Sequence, residues 1–163
     1  MLIGIRCAHV TFVVAEGGGN GAVNANRQEK KSWETFRLCD VTGKPFADNA
    51  TVASNTIVTL KTSGGQFLIP SWGGNVMANA WNPVGAGFYM SVLSGTVRAG
   101  TGAPVVTFRS PGKFPRLGIL DGEYYWVTAE LNDPRPVVAN RQMPAPAPWE
   151  VFTLSMSLGT VFV

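Results

Sequence analysis

Two tryptophan–glutamate pairs, Trp33-Glu34 and Trp149-Glu150, have the residue types and spacing to do chemistry in this 163-residue chain. Each follows an asparagine–arginine pair, Asn26-Arg27 and Asn140-Arg141. A pyranose ring has an apolar face of C–H groups and a rim of hydroxyls. An indole stacks on that face, and a carboxylate accepts hydroxyl hydrogen bonds of the stronger, charge-assisted kind. Arg27 and Arg141 either hold the glutamate in place or donate to the sugar. A structural reading of the same residues stands beside this one. In it the indoles pack a barrel end and the asparagines bond turn backbone. The arginines then bridge only to Glu16 and Glu130, or to Glu34 and Glu150.

These residues recur because the chain repeats itself. Val23 to Leu38 and Val137 to Leu154 share the form Val-x-Ala-Asn-Arg-Gln, a loop, then Trp-Glu-x-Phe-x-Leu. The loop is longer in the later copy while its flanks match, so this is an internal repeat. A degraded third copy lies between them. Val76-Met77-Ala78-Asn79-Ala80 lacks the arginine, and Gly87-Phe88-Tyr89-Met90 stands where the others have Trp-Glu-x-Phe. On this alignment Phe36, Met90 and Phe152 form a threefold core layer. Tryptophan, glutamate and arginine are kept or lost together. A glycine at a core position would leave a hole costing several kcal/mol, whereas an exposed binding residue is lost cheaply. That contrast favours recognition over packing.

The elements that must position these side chains are short strands. Ile3 to Arg6, Val58 to Lys61 and Val106 to Arg109 alternate and end in a cation. Phe12 to Glu16, Phe67 to Ser71 and Trp126 to Glu130 follow as apolar runs. Each unit therefore reads as four strands, with units at about 2–48, 55–102 and 103–163. Six strands can close a barrel and six can cap it as hairpins, so the expected fold is an all-β β-trefoil in one domain spanning 1–163. Gly17 to Gly21 reads as a hairpin turn using positive φ, since no Gly-Lys-Ser/Thr ending follows it. Trp72 and Trp81 either rebuild a contact surface in the middle unit or cap the barrel. Ser110 to Gly122 is an insertion confined to the last unit.

Composition bounds the rest. Charged residues make up 14% and the net charge is a scattered +3, which gives no nucleic-acid footprint. Cys7 and Cys39 are expected to be buried free thiols, although both fall in the first unit and pairing is open. His9 is the lone histidine, so neither a metal site nor another cofactor is expected. The apolar N-terminus matches a repeat strand and is not read as a leader. No apolar run is long enough for a membrane span. Either a cytoplasmic protein or a module excised from a secreted one fits.

Val-x-Ala-Asn-Arg with Trp-Glu-x-Phe-x-Leu, and Ala15-Glu16-Gly17-Gly18-Gly19 upstream, resembles the fascin-like β-trefoil family. The resemblance covers nearly the whole chain outside the insertion, and its spelling is closer to the glycan-binding branch than to the actin bundlers. It implies a non-catalytic lectin or carbohydrate-binding module for β-glucan-type polysaccharide. Its sites would be Trp33 with Glu34, and Trp149 with Glu150, with Asn26, Arg27, Asn140 and Arg141 beside them. Gly87 and Phe88 put a site in the middle unit in question. Two weak sites on one scaffold gain from effective concentration, so the protein would act multivalently. An F-actin-binding module is the alternative. A glycosidase would need two facing carboxylates, and Asp121 with Glu123 is the only local pair.

Overall fold

The structure is a computed structural model that describes residues 1–71, 74–110 and 124–157. Trp72, Asp121, Glu123 and the body of the Ser110 to Gly122 insertion lie outside the described residues. Twelve strands account for the architecture, and among the described residues there is no α-helix. They are β1 (Leu2–Arg6), β2 (Phe12–Ala15), β3 (Gly21–Arg27), β4 (Thr35–Cys39), β5 (Thr56–Lys61) and β6 (Phe67–Pro70). The second half holds β7 (Val76–Ala80), β8 (Phe88–Ser94), β9 (Val105–Ser110), β10 (Tyr125–Ala129), β11 (Val137–Arg141) and β12 (Val151–Ser157).

All pairings are antiparallel, and they close a barrel. β1 pairs with β4, β4 with β5, β5 with β8, β8 with β9, β9 with β12, and β12 returns to β1. A wider circuit also closes through the hairpins, because β3 pairs with β7 and links β1-β2-β3 to β7-β6-β5. Closure leaves the ring strands without a free edge.

Three hairpins hang on this ring with matching registers. Phe12 faces Arg27 in β2–β3, Phe67 faces Ala80 in β6–β7, and Trp126 faces Arg141 in β10–β11. The register shifts immediately after each of these pairs. The strand-ending cations now have a physical role. Arg6, Lys61 and Arg109 pair across to those aromatics and lie 5.9, 5.3 and 5.2 Å from their ring centroids. Each such contact contributes about 0.5–1 kcal/mol at exposed sites.

Registers correct the frame of the middle unit. Ile3 pairs with Phe36, Val58 with Phe88 and Val106 with Phe152, so the core layer is Phe36, Phe88 and Phe152. Met90 belongs instead with Leu38 and Leu154, which face Leu60, Phe108 and Ile5 in the next strands. All six are buried. The residues equivalent to Trp33-Glu34 are therefore Gly85-Ala86, not Gly87-Phe88. The sequence alignment slipped by two because a two-residue shift in a strand preserves the inward face.

Cys7 and Cys39 are both buried and unpaired. Gly17, Gly18 and Gly19 have φ of 66°, 81° and 138°, as a positive-φ turn requires.

Candidate functional site

Trp33 and Glu34 sit in the turn just before β4, and Trp149 and Glu150 in the 3-10 turn Pro148–Glu150 just before β12. Neighbouring residues in such a turn point opposite ways, and the two members of each pair separate. Trp33 exposes 45% of its surface, while Glu34 exposes 4% and Glu150 none.

The glutamates are held inside by donors. Glu34 Oε2 accepts the Lys31 backbone N–H at 2.9 Å, and Glu150 Oε2 accepts that of Ala147 at 2.8 Å. Thr128 Oγ1 donates to Glu150 Oε1 at 2.9 Å. Arg27 Nε lies 3.8 Å from Glu34 Oε1, and Arg141 Nη1 lies 3.8 Å from Glu150 Oε1. Each arginine also reaches a second acid: Arg27 donates to Glu16 at 2.7 Å and Arg141 to Glu130 at 2.9 Å. Both bridging alternatives thus occur together, as one Glu–Arg–Glu triad in the first unit and one in the last.

This corrects the expectation that Glu34 and Glu150 accept sugar hydroxyls. Glu150 touches no solvent, and Glu34 nearly none, because each carboxylate is consumed in fixing its own turn. The asparagines also separate. Asn26 Oδ1 accepts from Arg27 Nη1 at 3.0 Å beside the first site. Asn140 is exposed and packs over Gly74, where a Cβ would stand 2.6 Å from its own.

What remains around Trp33 is an open cleft of about 630 Å³ lined by Arg27, Gln28, Glu29, Lys31, Ser32 and the Trp33-Glu34 pair. Arg27 keeps 41% of its side chain exposed there. The indole edge rests against Gly18, where a methyl would come within 3.2 Å of both Cδ1 and Nε1. The Trp33 carbonyl accepts the Ala15 N–H at 3.0 Å. Lys30 turns inward across Gly4 and donates to Ser157 at 2.6 Å; burial pulls its pKa down. The rim lysine is Lys31, which pairs with Glu29 at 3.1 Å. Two cations and two carboxylates line the cleft, so its charge balances.

Trp149 is placed differently. It is half-buried, and the His9 ring stacks on it at 4.7 Å and 27°. His9 Nε2 lies 3.3 Å from the Ala129 carbonyl. One indole face is therefore covered by a residue from the β1–β2 turn. Nothing local in the sequence signals His9; only barrel closure brings the first turn to the last unit.

Among the described residues no group of three acid, histidine or cysteine side chains could hold a metal ion, and no helix is long and apolar enough to cross a membrane. The chain matches no protein-family model and no curated protein. Solved structures do resemble it. A Caenorhabditis elegans protein of unknown function aligns over 96% of this chain and 94% of its own, with 10% identity and a TM-score of 0.66. The SDF2-like protein from Arabidopsis thaliana aligns over the same shares, with 10% identity and a TM-score of 0.62. At that identity the likeness is one of fold.

Proposed function

We propose that this chain is a non-catalytic carbohydrate-binding module that takes a neutral, β-glucan-type polysaccharide at the Trp33 cleft. The observation that carries the reading is the half-exposed Trp33 indole, backed by Gly18 and opening onto a charge-balanced cleft. Gln28 and Ser32 supply neutral hydrogen-bonding groups to the lining of the same cleft, and Arg27, held by Glu16, adds donors. A charge-balanced lining suits an uncharged sugar better than a uronate or a sulfated chain.

The same proposal includes the finer fold, a fascin-like β-trefoil. It is supported by the six-strand ring with three hairpins of matching register. In this reading Glu34 and Glu150 act on the turn backbone and on Arg27 and Arg141, not on the ligand. Trp33 acts directly, while Trp149 is the weaker platform because His9 covers it.

A single shallow stacking site of this kind gives about millimolar affinity, roughly −4 kcal/mol. The test is retention on a panel of insoluble polysaccharides, with a glycan array beside it. Wild type should be held by a β-linked glucan. Trp33→Ala should lose at least tenfold of that retention, and Trp149→Ala less. Absence of retention on every β-linked glucan would overturn the reading.

A further inference from the structure

The middle unit lacks tryptophan at the position of Trp33, yet its β7–β8 loop carries Trp81, the most exposed of the described tryptophans at 68%. That exposure excludes a role for Trp81 in capping the barrel. Trp81 directly follows Ala80, the partner of Phe67, just as Gln28 directly follows Arg27, the partner of Phe12. Trp81 is thus the counterpart of Gln28. In the first unit Gln28 and Trp33 line one cleft from the two legs of the β3–β4 loop. In the middle unit the Trp33 leg ends in Gly85, without a side chain, and the Gln28 leg carries the indole. The aromatic has moved across the loop.

The loop that presents it is fixed. Asn82 Oδ1 accepts the Val84 N–H at 3.2 Å, and the Pro83 carbonyl accepts the Ala86 N–H at 3.0 Å. Pro83 also seats on Gly43 of the β4–β5 turn, where an added Cβ would lie 3.2 Å from its Cγ. No charged residue occurs between Asn79 and Met90.

The geometry points to Trp81 as a second stacking platform for a ring of the same neutral polysaccharide. This rests on the reading of the Trp33 cleft given above. Its chemistry is a C–H face on an indole, carried by a loop that also holds the Asn82 amide and has no charged residue of its own. Preorganisation by the three loop anchors lowers the ordering cost of binding there. Two platforms in different units of one barrel favour a polymer over a short fragment.

The experiment is an NMR titration of the indole N–H resonances with a soluble β-linked glucohexaose, with assignments from Trp33→Phe and Trp81→Phe. Both resonances should move, each with its own midpoint. Trp81→Ala should leave the melting temperature and the Trp33 response unchanged, while retention on insoluble β-glucan falls at least tenfold. Movement of Trp33 alone overturns this inference and leaves the cleft reading standing. Movement of Trp81 alone supports it and overturns the role of Trp33. Movement of neither overturns both.

Discussion

Glu150 exposes no surface, and a buried charge is tolerated only when paired and hydrogen-bonded. Its partners are replaced as a set in the middle unit. Glu130, Arg141 and Glu150 correspond there to Ser71, Ala80 and Ala86, and Thr128 corresponds to Ile69. Ala147, whose N–H the carboxylate accepts, corresponds to Pro83, which has no N–H to satisfy. Phe67, Ile69, Ala80 and Ala86 then pack as a small apolar cluster of their own. The joint loss of Trp, Glu and Arg that suggests recognition in the sequence thus has a physical cause for two of its members. Removing one member of such a set costs about 3–5 kcal/mol. Glu150→Ala should therefore lower the melting temperature by roughly 10 °C. Adding Thr128→Ile and Ala147→Pro in that background should recover about 1–3 kcal/mol, since the Ala147 N–H loses its acceptor and Thr128 Oγ1 keeps only the long 3.4 Å bond to the Trp126 carbonyl. Denaturant melts of the single and triple variants check this, and simple additivity would contradict it. Glu34 has the parity of Phe36 and Leu38, but it precedes β4, so alternation alone does not force it inward. What sequence alone does not show is the amide three residues upstream that makes burial of the carboxylate possible.

At the scale of the elements, the repeat is legible wherever identical side chains recur, and all twelve strands fall close to the segments expected. The middle unit is misread by two residues because Gly85-Ala86 resembles nothing in its sisters, and only pairing across β5 and β8 sets the frame. The β4–β5 turn shows how a loop holds its neighbours. Asp40 Oδ1 accepts Thr42 Oγ1 at 2.6 Å, Thr42 N at 2.8 Å and Lys44 N at 3.0 Å. The Thr42 hydroxyl first, and then the two amides, hold the Asp40 carboxyl below its ordinary value of 3.8. A depressed carboxyl stabilises the fold above its ordinary range, and that stabilisation disappears as pH falls through the depressed value. Asp40→Ala should lower the melting temperature at neutral pH and flatten the acid limb of the stability curve. Because Gly43 in this turn supports Pro83, the same substitution should broaden the Trp81 indole resonance. Thermal melts from pH 2 to pH 7 and the indole spectrum provide the measurement.

For the whole molecule the decisive feature is closure between its most distant parts, since β1 pairs with β12 from Leu2 against Ser157 to Arg6 against Thr153. Such non-local pairing places folding in the millisecond-to-second range, slower than a helical bundle of the same size. It also makes opening of one ring strand costly for every other. Two buried thiols report on this directly. Cys39 ends β4, and burial pushes its thiol up to about 11. Cys7 follows β1, with its Sγ 3.2 Å from Thr11 Oγ1. A raised thiol favours the fold fully below the ordinary thiol range, and that contribution falls away as pH rises from about 9 towards 11. At pH 8 neither sulfur should react in the native state, so labelling must proceed through opening. If the ring opens as one unit, a thiol reagent should modify Cys7 and Cys39 at the same rate, and that rate should follow the equilibrium for global unfolding as denaturant is added. Faster modification of Cys7 alone would mean that the β1–β2 turn opens independently. The His9 ring, carried by that turn, would then leave Trp149 at the same rate, turning the covered indole of the last unit into an intermittently open one.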